Sequence, residues 1–367
     1  HSYNSWDAYG YDLMVTPEQA YAFAKGGSVQ LPPLDASGEG TRQVTLPRPL
    51  DFAAVTDHGE YLGESHVCRE KTNKASGYDS EECKRYRARG ESFVAGWGMK
   101  FIDPAGVKRD ASICGADGAD CRRGAEKVWK EIQRAAERAY DRTKKCSFVS
   151  FVGYEYTASP MVANQHRNII FRNDVVPERP ITYFETADFW QLLLRLREEC
   201  LHAQGGCDAM SIPHNMNWSN GNMYVPRFSG HQGLATERDA AALRAQLEPV
   251  IEIFQHKGDM ECENGLSGAE RTDDAHCEFE KLRFGSPADC GESTGWGGVK
   301  DMGCISRYDF MRGIYTQGLR EYGRFKSAVN PYLVGVIGST DTHNGTPGNT
   351  REKGFVGHVG VADHTPE

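Results

Sequence analysis

The chain has 367 residues, a formal net charge of −9 and 39% hydrophobic residues, which is typical of one large α/β domain or two smaller ones. Its basic residues form short clusters at 82–90 and 141–146 rather than one sustained stripe, so we interpret them as solvated helix faces and expect no binding to nucleic acid. No stretch approaches the about 20 apolar residues that a membrane-spanning helix requires, so we expect no membrane span.

Helices are predicted where apolar periodicity coincides with start and stop residues. Residues 16–25 begin with Thr16 as the cap and Pro17 in the first turn, and two glycines follow them. The Gly- and Pro-rich stretch 27–50 predicts a hairpin-like loop that leads into a strand at 51–57. Further helices are predicted at 124–141, 188–203, 237–248 and 308–325.

Two long segments lack sustained apolar periodicity and are predicted to be cysteine-rich loop insertions. They lie near residues 60–122 and 257–304. Outside them, helix and strand patterns alternate without an internal repeat. We therefore expect a single barrel-like domain over residues 1–367, with the two insertions over its rim.

Five apolar runs each end in a carboxylate or a histidine. The runs lie at 51–58, 146–155, 207–215, 247–256 and 331–343. Short buried strands that alternate with helices predict parallel β/α units, and in a barrel the loops after such strands build the active site. The residues expected on one rim are Asp57, His58, Glu155, His214, Glu252, Asp341 and His343. Imidazole and carboxylate ligands suit Zn²⁺, Mn²⁺ or Fe²⁺, so the pattern points to a metallohydrolase.

Individual residues in these runs allow sharper hypotheses. Residues two apart on an extended segment point to the same side, so Asp341 and His343 are expected to reach one metal cluster. Glu252 either touches a metal or supports a ligating histidine. Arg167 is expected either to bind a phosphate with two parallel hydrogen bonds or to form a surface ion pair.

Ten of the eleven cysteines bracket short polar loops. The bracketing pairs are Cys68 and Cys83, Cys114 and Cys121, Cys200 and Cys207, Cys262 and Cys277, and Cys290 and Cys304. This spacing suits loop-closing disulfides in an oxidising compartment, although reduced cysteines are the alternative and sequence alone does not determine connectivity. We expect a periplasmic or secreted bacterial protein, with the remaining Cys146 as a buried thiol.

The motifs, taken in order, resemble those of the PHP (polymerase and histidinol phosphatase) superfamily of metallohydrolases. HSYNSWDA is similar to the end of the superfamily's HxHxxxSxDA motif, and AVTDHGE, GYEYT, IPHN and STDTHNGTPG follow in the superfamily's order. DFAAVTDHGEYLGE and DTHNGTPG most resemble a bacterial branch labelled domain of unknown function 3604. The resemblance implies a distorted TIM-like (β/α)7 barrel with two or three metal ions at its rim.

The resemblance also implies three groups of ligands. They are His1, Glu155 and Asp341 for the first ion, Glu155, His166 and His214 for the second, and Asp7, His58 and His343 for the third. Asp7 stands where some relatives carry histidine, which would alter the third site. His166 is either a ligand or a substrate contact. The first histidine of the HxH motif would precede His1, so we expect further residues before it and after Glu367.

These ligands imply a hydrolase that uses two or three divalent ions (Zn, Mn or Fe) to activate water. The resemblance favours a phosphoesterase that acts on a small phosphate ester, with Asp341, Glu155 and Arg167 as catalytic residues. Two alternatives stay open: hydrolysis of C–O or C–N bonds at the same metal site, and a non-catalytic, metal-stabilised binding protein.

Overall fold

A computed structural model describes residues 1–350 except 72–75, 103–106, 226–235, 267–273, 284–287 and 327. These residues form a mixed α/β fold of helices and small sheets. The helices are α1 (Trp6–Gly10), α2 (Pro17–Ala24), α3 (Leu62–Arg69), α4 (Glu81–Ala88), α5 (Glu91–Met99), α6 (Ala111–Cys114), α7 (Ala119–Ala139), α8 (Phe189–Leu196), α9 (Glu237–Leu247) and α10 (Met311–Arg324). The strands are β1 (Ser28–Leu34), β2 (Gly40–Thr45), β3 (Phe52–Ala54), β4 (Val149–Phe151), β5 (Gly153–Tyr156), β6 (Arg167–Phe171), β7 (Ala209–Pro213), β8 (Val250–Gln255), β9 (Gly258–Asp259) and β10 (Gly335–Gly338).

The N-terminal elements follow local sequence signals. The Thr16 side chain accepts a hydrogen bond from the Gln19 backbone, and the Gln19 side chain accepts one from the Thr16 backbone. This reciprocal pair satisfies two free N–H groups at the start of α2. The stretch predicted as a hairpin forms antiparallel strands β1 and β2. Both predictions are confirmed.

Each of the five apolar runs contains at least one strand, as predicted. Strand β3 pairs with β4 in parallel, and β8 pairs with β10 in parallel. The central sheet differs, because β5, β6 and β7 pair antiparallel. A loop without a crossover helix joins β5 to β6, and such a connection permits antiparallel pairing. The prediction of uniformly parallel units is therefore wrong here, and no closed barrel is found among the described strands.

The main core forms around α7, which begins five residues before the predicted helix at 124–141. Its buried face includes Val128, Trp129 and Ile132. The Trp129 ring lies edge-on to that of Tyr154 on β5, with ring centres 5.7 Å apart. This contact fixes the helix against the strand that carries Glu155.

The segment 60–122 is largely helical, so the prediction that it forms a loop is wrong, while its place as an insertion stays a prediction. Its described residues form α3 to α6 and share an aromatic core with Trp6 of α1. Tyr61 and Trp97 lie in this core, with ring centres 4.5 Å apart. The helices contain four to nine residues, which is too short for apolar periodicity to appear in the sequence.

The cysteine pairing is confirmed for all five bracketed loops. The disulfides are Cys68–Cys83, Cys114–Cys121, Cys200–Cys207, Cys262–Cys277 and Cys290–Cys304. Cys146 is an exposed free thiol, so the prediction that it is buried is wrong. Among the described helices, none is both long enough and apolar enough to cross a membrane.

Candidate metal centre

Eight side chains that the sequence singled out lie next to one another. They are His1, Asp7, His58, Glu155, His166, His214, Asp341 and His343. Most of them lie on strand ends or on the loops that follow strands, so the backbone can expose polar groups where it leaves the core. An isolated parallel bridge between His58 and Glu155 joins two of these strand ends.

Glu155 lies at the centre of the cluster. Its Oε1 atom lies 2.8 Å from His166 Nδ1, 3.4 Å from His58 Nδ1 and 3.5 Å from His214 Nε2. Its Oε2 atom lies 3.1 Å from His1 Nε2. The two oxygens of one carboxylate therefore face two different sets of neighbours.

The remaining carboxylates extend the cluster on the His1 side. Asp341 Oδ1 lies 3.1 Å from His1 Nε2. Asp7 Oδ2 lies 3.3 Å from His58 Nε2 and 3.2 Å from His343 Nε2. The His1 and His343 rings stack with their centres 3.9 Å apart.

Three groups in the cluster have ligand atoms that all lie within 4.8 Å of one another. They are His1, Glu155 and Asp341; Glu155, His166 and His214; and His1, His58 and His343. The first two agree with the predicted first and second ion, and they share Glu155. A fourth group, Glu64 with Cys114 and Cys121, meets the same distance criterion. Its sulfurs form a disulfide and are not thiolate ligands.

Each histidine of the cluster is oriented by a hydrogen bond at one ring nitrogen. In four of them this nitrogen faces away from the carboxylates of the cluster, whereas Nδ1 of His58 also lies 3.4 Å from Glu155 Oε1. The partners are Ser5 Oγ for His1, Thr157 Oγ1 for His58, Ser159 Oγ for His166, the Asn168 amide for His214 and the carbonyl oxygen of residue 341 for His343. A carbonyl can only accept, so Nδ1 of His343 carries the proton and neutral Nε2 keeps its lone pair. A bond donated by the other ring N–H is typical of metal-ligating histidines. At His214 the neighbour is the Asn168 amide nitrogen, so a ligating Nε2 requires the flipped amide, with the unpaired Asn168 Oδ1 towards Nδ1.

Two buried atoms of the cluster lack a hydrogen-bond partner among the described residues. They are Glu155 Oε2 and His214 Nε2. Glu155 Oε2 contacts His1 Nε2 at 3.1 Å and His214 Nε2 contacts Glu155 Oε1 at 3.5 Å, but neither contact has hydrogen-bond geometry. An unpaired buried polar atom costs about 1–3 kcal/mol, so a better partner for these two atoms would stabilise the cluster. A cation in the first group would satisfy Glu155 Oε2 and a cation in the second would satisfy His214 Nε2, and the donor set suits Zn²⁺, Mn²⁺ or Fe²⁺.

The electrostatics of the cluster also favour positive charge. Burial and the charge of His58 lower the pKa of His1, but its hydrogen bond with Asp341 raises the pKa to about 9. Burial raises the pKa of Glu155, but the charges of His58 and His214 hold it well below its usual range. Burial and the charge of His1 lower the pKa of His343 to about 3. The buried carboxylates therefore stay ionised and draw protons onto some of the neighbouring histidines.

Comparison with known proteins identifies the family. The whole chain, residues 1–367, matches a family model described as "Protein of unknown function (DUF3604)". The chain belongs to the DUF3604 family. This is the branch whose motifs the sequence resembles, and the wider relation of DUF3604 to the PHP superfamily stays a prediction. No curated protein and no solved structure matches the chain.

The Arg167 side chain does not reach the candidate metal centre, although Arg167 directly follows His166 in the sequence. It lies on β6 next to Asn168, and successive residues of a strand point to opposite faces. Asn168 contacts the His214 ring, whereas the Arg167 guanidinium is fully buried and donates from Nε to Glu248 Oε1 at 2.6 Å. The prediction that Arg167 is a catalytic residue that binds a phosphate is therefore wrong. The surface ion pair is also wrong, because the pair is buried.

The predicted geometry of the DTH motif is wrong as well, although both side chains reach the cluster. Asp341 has a φ of 50°, so residues 341–343 do not alternate as an extended strand would. The left-handed conformation is uncommon for a residue other than glycine, and it is enriched at functional sites. The turn brings Asp341 towards His1 and His343 towards Asp7.

Asp57 contacts the cluster indirectly, through Ser2 and Ser5. Its carboxylate accepts hydrogen bonds from the backbone of Ser2 at 2.6 Å and from Ser5 Oγ at 2.9 Å. Ser5 Oγ in turn lies 2.9 Å from His1 Nδ1. Asp57 therefore holds the turn that presents His1.

Two residues at the cluster were missed by sequence reasoning. Gln255 donates from Nε2 to Asp341 Oδ2 at 2.8 Å, and the Lys257 ammonium pairs with the same carboxylate. Both lie where β8 leaves the core, which is the same signal that singled out the other strand ends. The prediction considered only carboxylates and histidines at the ends of runs, so it did not select a glutamine and a lysine.

Proposed function

We propose that this DUF3604 protein is a metal-dependent hydrolase that acts on phosphate esters at a centre of two or three divalent ions. The proposal depends on Glu155, whose two oxygens face two different groups of possible ligands. One carboxylate between two such groups supports a bridged pair of ions. Paired ions of this kind recur in phosphatases and nucleases.

The proposed ligands are the three groups expected from the resemblance. They are His1, Glu155 and Asp341; Glu155, His166 and His214; and Asp7, His58 and His343. When bound, divalent ions supply an activated water and neutralise the charge that develops on a phosphoryl oxygen.

The chain's own contribution is to hold these ligands in place before substrate arrives. The hydrogen bonds of Ser5, Thr157 and Ser159 orient three of the imidazoles. Asp341 is held at both oxygens, by His1 on one side and by Gln255 on the other. Rigid orientation of this kind reduces the reorganisation that the reaction requires.

We also propose that the strands belong to a distorted (β/α)7 barrel of the PHP type. The parallel pairs β3–β4 and β8–β10 support this proposal, as does the parallel bridge between His58 and Glu155. A cluster at strand ends is the position of active sites in such barrels. The five disulfides support a periplasmic or secreted location.

The test combines elemental analysis with a hydrolysis screen on purified protein. We expect bound Zn, Mn or Fe and hydrolysis of p-nitrophenyl phosphate or of its diester, with the hydrolysis lost on chelation and restored by Mn²⁺. Glu155→Gln is expected to reduce kcat at least about 100-fold, since the loss of a ligand costs more than the loss of its support. The control is Glu199→Gln, which changes an exposed glutamate just after α8.

The screen also separates the two alternatives. Hydrolysis of p-nitrophenyl acetate without hydrolysis of either phosphate ester would favour a carboxylic substrate. Stoichiometric metal without any turnover would favour a binding protein. Less than one metal ion per chain, together with metal-independent hydrolysis, would refute the proposal.

A further inference from the structure

The hairpin between β8 and β9 places a lysine against the candidate metal centre. Gln255 pairs with Gly258 across a two-residue turn, and Lys257 occupies the second position of that turn. The Lys257 backbone N–H donates to Gln255 Oε1 at 2.7 Å, and its carbonyl accepts from Asn217 Nδ2 at 2.8 Å. The backbone of Lys257 is therefore held on both sides, which fixes the direction of its side chain.

The two oxygens of Asp341 have different neighbours. Oδ1 lies 3.1 Å from His1 Nε2, on the side of the proposed first ion, and Oδ2 contacts the Lys257 ammonium. An ammonium carries three donor hydrogens. The bond to Asp341 uses one of them, and no second acceptor for Lys257 Nζ occurs among the described residues. Two donors at the edge of the centre are therefore available to a ligand.

A buried cation beside a metal ligand requires an explanation, because it repels the metal ion. With the first and second ions bound and with neutral histidines, as metal ligands must be, three carboxylates of the cluster carry negative charge. They are Glu155 and Asp341, which are ligands of these two ions, and Asp7, which lies beside His58 and His343. Two divalent ions against three carboxylates leave one net positive charge. Lys257 raises this to two, which matches a phosphate monoester in its dianionic form, the form that predominates above a pH of about 6.

We propose that Lys257 binds a non-reacting oxygen of a phosphate monoester dianion and makes the centre selective for monoesters over diesters. This inference rests on the proposed function and names its substrate class. Lys257 is a specificity-determining residue in this scheme. A monoanionic diester offers less charge to balance and one fewer free oxygen.

Calorimetric titration of Mn²⁺-loaded protein at pH 8 tests the inference without turnover. The probes are inorganic phosphate, for the dianion, and dimethyl phosphate, for the diester monoanion. Lys257→Met is expected to weaken phosphate binding at least about tenfold, since a hydrogen bond to a charged group is lost. The affinity of the same variant for dimethyl phosphate should fall less than about threefold, and its Mn²⁺ content should be unchanged.

The matched control is Lys281→Met in the same part of the fold. Lys281 Nζ pairs with Asp259 Oδ2 of β9 at 2.5 Å, so this variant also removes a partly buried Lys–Asp pair, but not one at the centre. We expect it to bind both probes like the wild type. The comparison separates the effect of charge at the centre from the general effect of a lost ion pair.

Several outcomes would overturn the inference. They are wild-type protein that does not bind phosphate, Lys257→Met protein that binds phosphate within twofold of the wild type, and equal weakening for both probes. Loss of Mn²⁺ from Lys257→Met would also overturn it, because Lys257 would then support Asp341 rather than the substrate. A different result would refute the proposed function but not the inference about Lys257. In that case phosphate would bind in a Lys257-dependent way, yet no ester would be hydrolysed.

Discussion

Replacing Glu248 with glutamine is expected to destabilise the fold while leaving the candidate centre intact. Glu248 accepts hydrogen bonds from Arg167 Nε through Oε1 and from Arg244 Nε through Oε2, both at 2.6 Å. The three side chains are at most 1% exposed. One carboxylate is therefore the shared counter-ion of two buried cations.

The magnitude follows from that arrangement. Glutamine preserves the shape of the side chain, but it offers one acceptor oxygen and turns an NH₂ donor towards the other guanidinium. Removal of one partner from a buried ion pair costs about 3–5 kcal/mol, because the remaining charge stays buried without a counter-ion. Two cations lose their counter-ion here, so the expected loss in the free energy of unfolding for Glu248→Gln is at least about 4 kcal/mol.

The assay is urea unfolding under non-reducing conditions, with tryptophan fluorescence as the readout of the folded fraction. Glu199→Gln is a close control, because Glu199 pairs with Arg195 Nε at the same 2.6 Å and the same spacing of four residues. That pair is 38% and 42% exposed, so the expected loss is about 0.5 kcal/mol or less. Equal losses in the two variants would refute the role of burial. Loss of bound metal from folded Glu248→Gln protein would contradict the separation of this network from the centre.

Three further predictions concern the centre and the cysteines. Chelation should lower the Tm, since an ion at 100 times its Kd stabilises the fold by about 2.7 kcal/mol per site. Chelation should lower the Tm of His214→Ala protein by less than that of the wild type in calorimetry, and an equal shift in both would contradict the role of His214. Asp57→Asn should weaken Mn²⁺ binding about 10–100-fold, because the turn that presents His1 loses an acceptor; unchanged affinity in a calorimetric titration would contradict this. Only Cys146 of the eleven cysteines should react with a thiol reagent, in native protein and in denaturant without reductant; mass spectrometry that finds a second labelled thiol would contradict the disulfide set.

Features with local causes could be predicted from the sequence. The capping pair of Thr16 and Gln19 lies within one helical turn, so its residues are visible as a motif. The disulfides close loops with sequence separations of only 7 to 15 residues, so pairing each cysteine with its neighbour was sufficient. Five cluster residues could be found because each lies where an apolar run ends: His58, Glu155, His214, Asp341 and His343. The other three, His1, Asp7 and His166, came from the resemblance to the PHP motifs.

Features that depend on tertiary contacts could not be predicted. Trp6 and Trp97 pack with ring centres 6.4 Å apart in a core that no local periodicity indicates. The direction of the Arg167 side chain depends on the register of β6, and that strand was not predicted. The same reason applies to Lys257, whose proximity to Asp341 arises from the pairing of β8 with β10.

The candidate centre is also where distant parts of the chain meet. The backbone nitrogen of His1 donates to the carbonyl of Thr342 at 2.8 Å, and the backbone of Gly345 donates to the carbonyl of His1 at 2.9 Å. The disulfides close only short loops, so they do not constrain these long-range contacts in the unfolded chain. The polar cluster makes these long-range contacts, and it contains buried atoms that form no hydrogen bond among the described residues. Metal ions would therefore complete both the candidate centre and the long-range connection of the fold, which would couple metal binding to folding.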